Sequence, residues 1–174
     1  MAEWVAQLAR MRVPLGFVAG VVVLALAQPT PMSLAVGTAV VLAGEACRLW
    51  AAGHLEKSRE VTRSGPYRWC RHPLYVGSSV MGIGVSIAAR SAIAAALTIV
   101  YMAVSFHAAM TTEEAFLRQQ FGSQYEEYCR GLAAVPDRRF SWSRAWRNRE
   151  YRALAGIAAV FAVLALKALL LPAS

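Results

Sequence analysis

Acidic residues are scarce in this chain. Ten Asp and Glu stand against 18 Lys and Arg, a net charge of +8 over 174 residues. Polar stretches are also few, because 57% of the residues are apolar. That pairing excludes an ordinary soluble domain and matches a small membrane protein with basic loops. There are only 3 cysteines, Cys47, Cys70 and Cys129, an odd count with no metal-ligand spacing. Cys70 and Cys129 fall on the side expected to face the cytoplasm, where thiols stay reduced, so neither a disulfide nor a metal site is expected. A strand, glycine loop and helix in succession are missing. Gly82-Ile83-Gly84 is a lone Gly-x-Gly inside an apolar run, which excludes a soluble dinucleotide-fold enzyme. No small-residue cleavage site leading into a soluble domain follows the first apolar run, so that run is not a signal peptide. Low-complexity segments and internal repeats are also lacking.

What is present is a series of apolar runs near residues 11–27, 31–50, 74–89, 93–110 and 154–171. They predict an all-α integral membrane bundle of five transmembrane helices, forming one domain over residues 1–174. The first and third runs are short against the ~20 residues that span a bilayer. Flanking arginines can snorkel and complete them; the alternative is that one run is a re-entrant or buried helix. Fifteen of the 18 Lys and Arg lie before or at the start of the first run (Arg10 and Arg12), between the second and third, or between the fourth and fifth. The opposite connectors, Gln28-Pro29-Thr30 and Arg90-Ser91, are nearly uncharged. The positive-inside rule therefore puts the N-terminus in the cytoplasm and the C-terminus outside.

The stretch Ser64-Gly65-Pro66-Tyr67-Arg68-Trp69-Cys70-Arg71-His72-Pro73-Leu74-Tyr75-Val76-Gly77 interrupts this apolar background. It packs a Gly-Pro turn, ring side chains and cationic groups into a connector that leads to a helix with Pro73 in its first turn, where proline costs no hydrogen bond. Upstream, Glu45 and Arg48 are three apart and share a helical face inside a span. They are either an internal ion pair or the lining of a polar pocket. Gly77, Ser78, Gly82 and Gly84 give the third span a small-residue side for close helix packing, and Arg90-Ser91 predicts a tight hairpin into the fourth. The fourth run ends in His107 and the pair Glu113-Glu114. His107 and Glu114 share a face, and both glutamates can face a cytoplasmic cavity. Leu117, Phe121, Tyr125 and Tyr128 then recur as in an amphipathic helix at the membrane interface, interrupted at Gly122, either as an anchor or as a lid over the site. Residues 136–152 alternate arginine with aromatics. Beside a membrane this reads as a segment touching anionic headgroups, not nucleic acid.

Gly65-Pro66-Tyr67-x3-Arg71-His72-Pro73-x-Tyr75-x-Gly77 resembles the Arg-His-Pro motif of the isoprenylcysteine carboxyl methyltransferases and related phospholipid methyltransferases of membranes. Glu113-Glu114-x2-Leu117-x3-Phe121-Gly122-x2-Tyr125-x2-Tyr128, followed by Pro136, is similar to the second half of that motif. The resemblance covers residues 48–140. It implies S-adenosylmethionine as methyl donor on the cytoplasmic side and a lipophilic or lipid acceptor arriving from the membrane. It implies cofactor contacts from Tyr67, Arg71, His72, Pro73, Tyr75, Glu113 and Glu114, with Arg71 and Glu114 as the catalytic pair. Carboxylate O-methylation is the expected reaction, with N-methylation of a phospholipid amine second. Sterol reductases, which use NADPH, resemble the chain in an Arg-His-Pro-type motif and in Tyr125-x2-Tyr128-Cys129. A non-catalytic membrane scaffold is the remaining alternative.

Overall fold

The computed structural model describes residues 3–171, with side chains in the first helix described at residues 7, 11 and 13 onward. The side chains of Arg10 and Arg12, two of the charges used for orientation, lie outside the described residues. Among the described residues seven α-helices follow one another: α1 Glu3–Leu26, α2 Pro31–Ala52, α3 Pro73–Ala89, α4 Ala92–Phe121, α5 Ser123–Cys129, α6 Trp142–Arg147 and α7 Tyr151–Leu170. A short 3₁₀ turn, Gly65–Arg68, lies in the connector before α3. Among the described residues there is no strand.

Among the described residues three helices, α2, α4 and α7, are long and apolar enough to cross a membrane. Val13–Leu26 of α1 and the whole of α3 are apolar but shorter. The 17 residues of α3 reach about 26 Å at 1.5 Å per residue.

Glycine decides how α2 and α3 meet. A Cβ on Gly44 would lie 2.7 Å from the Gly77 carbonyl oxygen, and one on Gly37 would lie 2.6 Å from that of Gly84. Moving from Gly44 back to Gly37 is matched by moving forward from Gly77 to Gly84, so the helices run antiparallel with backbones in contact. The small-residue side of α3 thus serves mainly α2, whereas Gly82 faces the Met102 side chain of α4. The hairpin into α4 forms as expected. Arg90 caps α3 in the left-handed region at φ 47°, and the Ser91 hydroxyl accepts from the Ala94 N–H at the start of α4.

One end of the bundle is closed by caps. Thr30 and Ser33 form a reciprocal capping box at the start of α2, and the Ser33 hydroxyl also reaches the Ala88 carbonyl at 3.1 Å. The Gln28 N–H donates to the Ala89 carbonyl at 2.8 Å. Lys167 of α7 donates to the carbonyls of Leu24 and Ala25 at 2.9 and 2.7 Å, satisfying groups that the end of α1 leaves open. Val23, Ala27, Ala88, Ala89, Ala94 and Leu164 form the buried apolar cluster behind these caps.

The opposite end carries the polar connectors. Here α4 continues past the expected end of its span and reaches Phe121 without a break, so Glu113 and Glu114 stand on a rigid helix. Gly122, at φ 49°, stops it, and Tyr125 and Tyr128 belong to the separate helix α5. The expected amphipathic pattern is therefore divided between two helices at the glycine named for it.

Candidate active site

Gly65 makes the turn that starts the motif. Its φ of +58° is one that a side chain adopts only with strain, and a Cβ there would also meet the His54 ring at 2.6 Å. His54 is buried, and its Nδ1 donates to the Trp50 carbonyl at 3.0 Å. The connector then folds so that Pro66 and Tyr67 are buried. Pro73 occupies the first turn of α3, as the sequence predicts, and His72 stands at the N-cap position without a side-chain capping bond.

His72 projects from the start of α3 onto the far part of α4. Its Nε2 donates to Glu114 Oε1 at 2.9 Å. An Arg71 guanidinium nitrogen lies 3.4 Å from the same oxygen, and Arg118, one turn along α4, lies 3.2 Å from the other. Three basic groups therefore surround one carboxylate. Arg71 also donates to Cys129 Sγ at 3.7 Å. That hydrogen bond and the Glu114 carboxylate push the Arg71 pKa above its ordinary value, fixing its positive charge. Arg118 bridges onward to Glu126 at 3.2 Å and lies over the Tyr125 ring, 5.6 Å from its centroid.

The two glutamates have different fates. Glu114 is half-buried at the centre of this cluster, whereas Glu113, a quarter-turn away, is exposed and, among the described residues, makes no hydrogen bond or ion pair. Tyr67 ties the connector to α5, since its carbonyl accepts from the Tyr128 hydroxyl at 2.7 Å. Burial, followed by the Glu113 charge, raises the Tyr67 pKa. Burial also pushes the Tyr128 phenol up to about 12, with Cys70 and Cys129 adding to the shift. The Tyr125 hydroxyl is buried and, among the described residues, has no hydrogen-bond partner within normal geometry. Tyr75 closes the other side, 5.9 Å from the His72 ring and 5.1 Å from Phe106 of α4 between ring centroids. His107 is exposed and does not join the cluster.

A second polar cluster underlies the first. Arg48 pairs with Glu150 at 2.6 Å and lies 3.9 Å from Glu45. It also donates to the Ser78 hydroxyl and to the Leu74 carbonyl in the first turns of α3. The internal ion pair expected from the spacing exists, but the shorter bond goes to Glu150, 102 residues away. Sequence reasoning missed Glu150. Its only local signal was an acid just before an apolar run, a position that also favours capping.

Residues 136–150 clasp this end from outside. Arg144 donates to the Gly53 carbonyl at 2.8 Å, and Asn148 donates to the carbonyls of Ala52 and Leu55 at 2.8 and 2.9 Å. These bonds satisfy carbonyls at the C-terminus of α2 and just beyond it. Arg138 forms a two-pronged pair with Glu60, and Arg147 reaches Glu56 at 3.3 Å. Phe140 covers Gly53.

With both motif halves in contact, comparison with known proteins shows what they are similar to. Residues 48–124 match the family described as phospholipid methyltransferase. Curated relatives include the protein-S-isoprenylcysteine O-methyltransferase of Schizosaccharomyces pombe, 31% identical over 103 residues, which are 57% of this chain and 44% of that protein. The cobalt-zinc-cadmium resistance protein CzcN of Cupriavidus metallidurans is 34% identical over 112 residues, 60% of this chain and 49% of that protein. The nickel-cobalt-cadmium resistance protein NccN of Alcaligenes xylosoxydans xylosoxydans is 33% identical over 103 residues, 58% and 48% of the two chains. This chain thus spans about half the length of the curated relatives it matches. No solved structure matches it. The resemblance read from the two motifs is borne out: the segment that holds the candidate site is similar to the phospholipid methyltransferase family and to protein-S-isoprenylcysteine O-methyltransferases. Among the described residues no group of three or more His, Cys, Asp or Glu could hold a metal ion.

Proposed function

We propose that this chain transfers a methyl group from S-adenosylmethionine to a lipophilic acceptor at the membrane, with carboxylate O-methylation as the favoured reaction. The observation that carries the reading is the bond from His72 at the start of α3 to Glu114 on α4, with Arg71 on the same oxygen. It joins the two motif halves into one site.

The donor set fits the cofactor. Arg71 offers a half-exposed guanidinium for the cofactor's carboxylate. Glu113 offers an uncommitted carboxylate for its cationic groups. Tyr67 and Tyr75 offer ring surface, and Pro73 fixes the start of α3. When bound, the cofactor supplies an electrophilic methyl group. Glu114 acts on that site by holding Arg71, His72 and Arg118 in one arrangement. Its three basic partners already use its oxygens, so it positions groups and does not take up a proton. That suits an acceptor needing no general base: a carboxylate is already a nucleophile, whereas an amine must first lose a proton.

In the same reading α1 to α4 and α7 cross the membrane as five spans, residues 1–174 act as one domain, and the cofactor core covers residues 48–140. The arginine-rich end, which holds the site, faces the cytoplasm; the charge asymmetry between the two sets of connectors supports this orientation. The test is incubation of the purified chain and native lipid extract with methyl-labelled S-adenosylmethionine. Label in a base-labile lipophilic ester is expected. Label in a lipid amine would reassign the acceptor, and no labelled lipophile would remove the reading.

A further inference from the structure

We infer that the outer face of α6 is a docking surface for an anionic phospholipid leaflet, held at headgroup level by the first turn of α7. The inner face of α6 is committed to protein. Ala145 is buried, and Arg144 donates to the Gly53 carbonyl. Trp142 and Trp146 are four apart, on one face of the helix, and remain 69% and 68% exposed. Two indoles set outward on a helix otherwise anchored inward are an unusual use of apolar surface in water. At a membrane boundary they suit the chemistry, because indole has an apolar body and a polar edge.

The depth follows from α7. This helix begins at Tyr151 and is apolar enough to enter a bilayer. Only Asn148, Arg149 and Glu150 separate it from α6, a link of at most about 11 Å. Arg149 adopts φ 60° in this link. Trp146 then packs on Tyr151 with ring centroids 4.7 Å apart, tying α6 to the first residue of the span. Wherever α7 enters the leaflet, Trp146 is at its boundary.

The charge selects the lipid. Arg139 and Arg149 are exposed and, among the described residues, their side chains make no ion pair with an acid, unlike Arg138, Arg144 and Arg147. They flank the two indoles in sequence. Anionic headgroups give these guanidinium groups partners beside the apolar boundary that receives the rings.

The test uses the full chain in lipid nanodiscs. Tryptophan fluorescence is measured with brominated phosphatidylcholine and, at equal mole fraction, brominated phosphatidylglycerol. The difference between wild type and W142F/W146F assigns the signal to these two residues. Their quenching by the anionic lipid is expected to exceed that by the zwitterionic lipid. A surface arginine enriches anionic lipid about fivefold, so the excess should fall severalfold in R139Q/R149Q and in high salt. Equal quenching by both lipids, or an excess unchanged in R139Q/R149Q, would overturn the proposal. So would strong quenching by acrylamide with none by either lipid, which would leave the face open to a soluble partner. W142F/W146F keeps an aromatic ring at both sites; if it fails to fold, the lipid comparison in wild type and R139Q/R149Q still decides.

Discussion

Replacing Glu150 with Gln tests how the cluster beneath the site is held. Glu150 is 6% exposed in its side chain, Arg48 19%, and the two lie 2.6 Å apart. Removing one member of a buried pair leaves the other charge uncompensated and costs about 3–5 kcal/mol. Here the loss is partly offset, because Glu45 lies 3.9 Å from the same guanidinium nitrogen and can take up its charge. The amide oxygen of Gln can also accept one hydrogen bond. We therefore expect about 2–3 kcal/mol for Glu150→Gln, a little below the range for an unrelieved buried charge. For a domain of this size that corresponds to a fall in Tm of roughly 4–12 °C. Glu45→Gln leaves the short pair intact and should cost less than about 1 kcal/mol. The assay is thermal unfolding of both variants and wild type in one detergent. The order is decisive: Glu150→Gln must cost clearly more. Equal losses, or a Glu150→Gln variant within 1 °C (about 0.3 kcal/mol) of wild type, would refute the assignment of Arg48 to Glu150.

Other outcomes follow from the same contacts. Gly44→Leu places a side chain against the Gly77 carbonyl and Met81, and should destabilise the α2–α3 pair by about 1–3 kcal/mol, read as a lowered unfolding temperature. Tyr128→Phe removes the hydrogen bond to the Tyr67 carbonyl; a loss of about 0.5–1.5 kcal/mol is expected, and unchanged stability would show that the bond is not made in solution. High pH should weaken the fold through Tyr128. Its folded pKa of about 12 lies above the ordinary 10.0, so its contribution is complete below pH 10 and is lost as pH rises toward 12. An absorbance titration should find its phenolate forming above the range of an exposed tyrosine.

Much of the fold was legible because it rests on local rules. The Arg90-Ser91 hairpin, the start of α3 at Pro73 and the stop at Gly122 each depend on residues within a few positions. The juxtaposition of His72 and Glu114 was legible for a different reason. A hairpin of two antiparallel helices returns the chain to the end from which it left, and the two motif halves sit at that end. Glu150 and Asn148 were not legible. Each bonds α2 from about a hundred residues away, and nothing local in an acid or an amide before an apolar run names its distant partner. The extent of α4 was also hidden, because its apolar run ends near Met110 while its backbone hydrogen bonds continue to Phe121. The choice between Glu113 and Glu114 required geometry: adjacent residues on a helix point about 100° apart, and only coordinates show which one meets His72.

The central claim is that the Arg71–His72–Glu114 cluster organises a site for a methyl donor. Calorimetry with S-adenosylhomocysteine on wild type and Glu114→Gln tests it most directly, with thermal unfolding to confirm that both are folded. Wild type should bind. Glu114→Gln, which loses charge-assisted hydrogen bonds worth about 1.5–3 kcal/mol, should bind roughly 10- to 150-fold more weakly. A folded wild-type protein that binds NADPH and not S-adenosylhomocysteine, or a Glu114→Gln variant that binds as wild type does, would contradict the account.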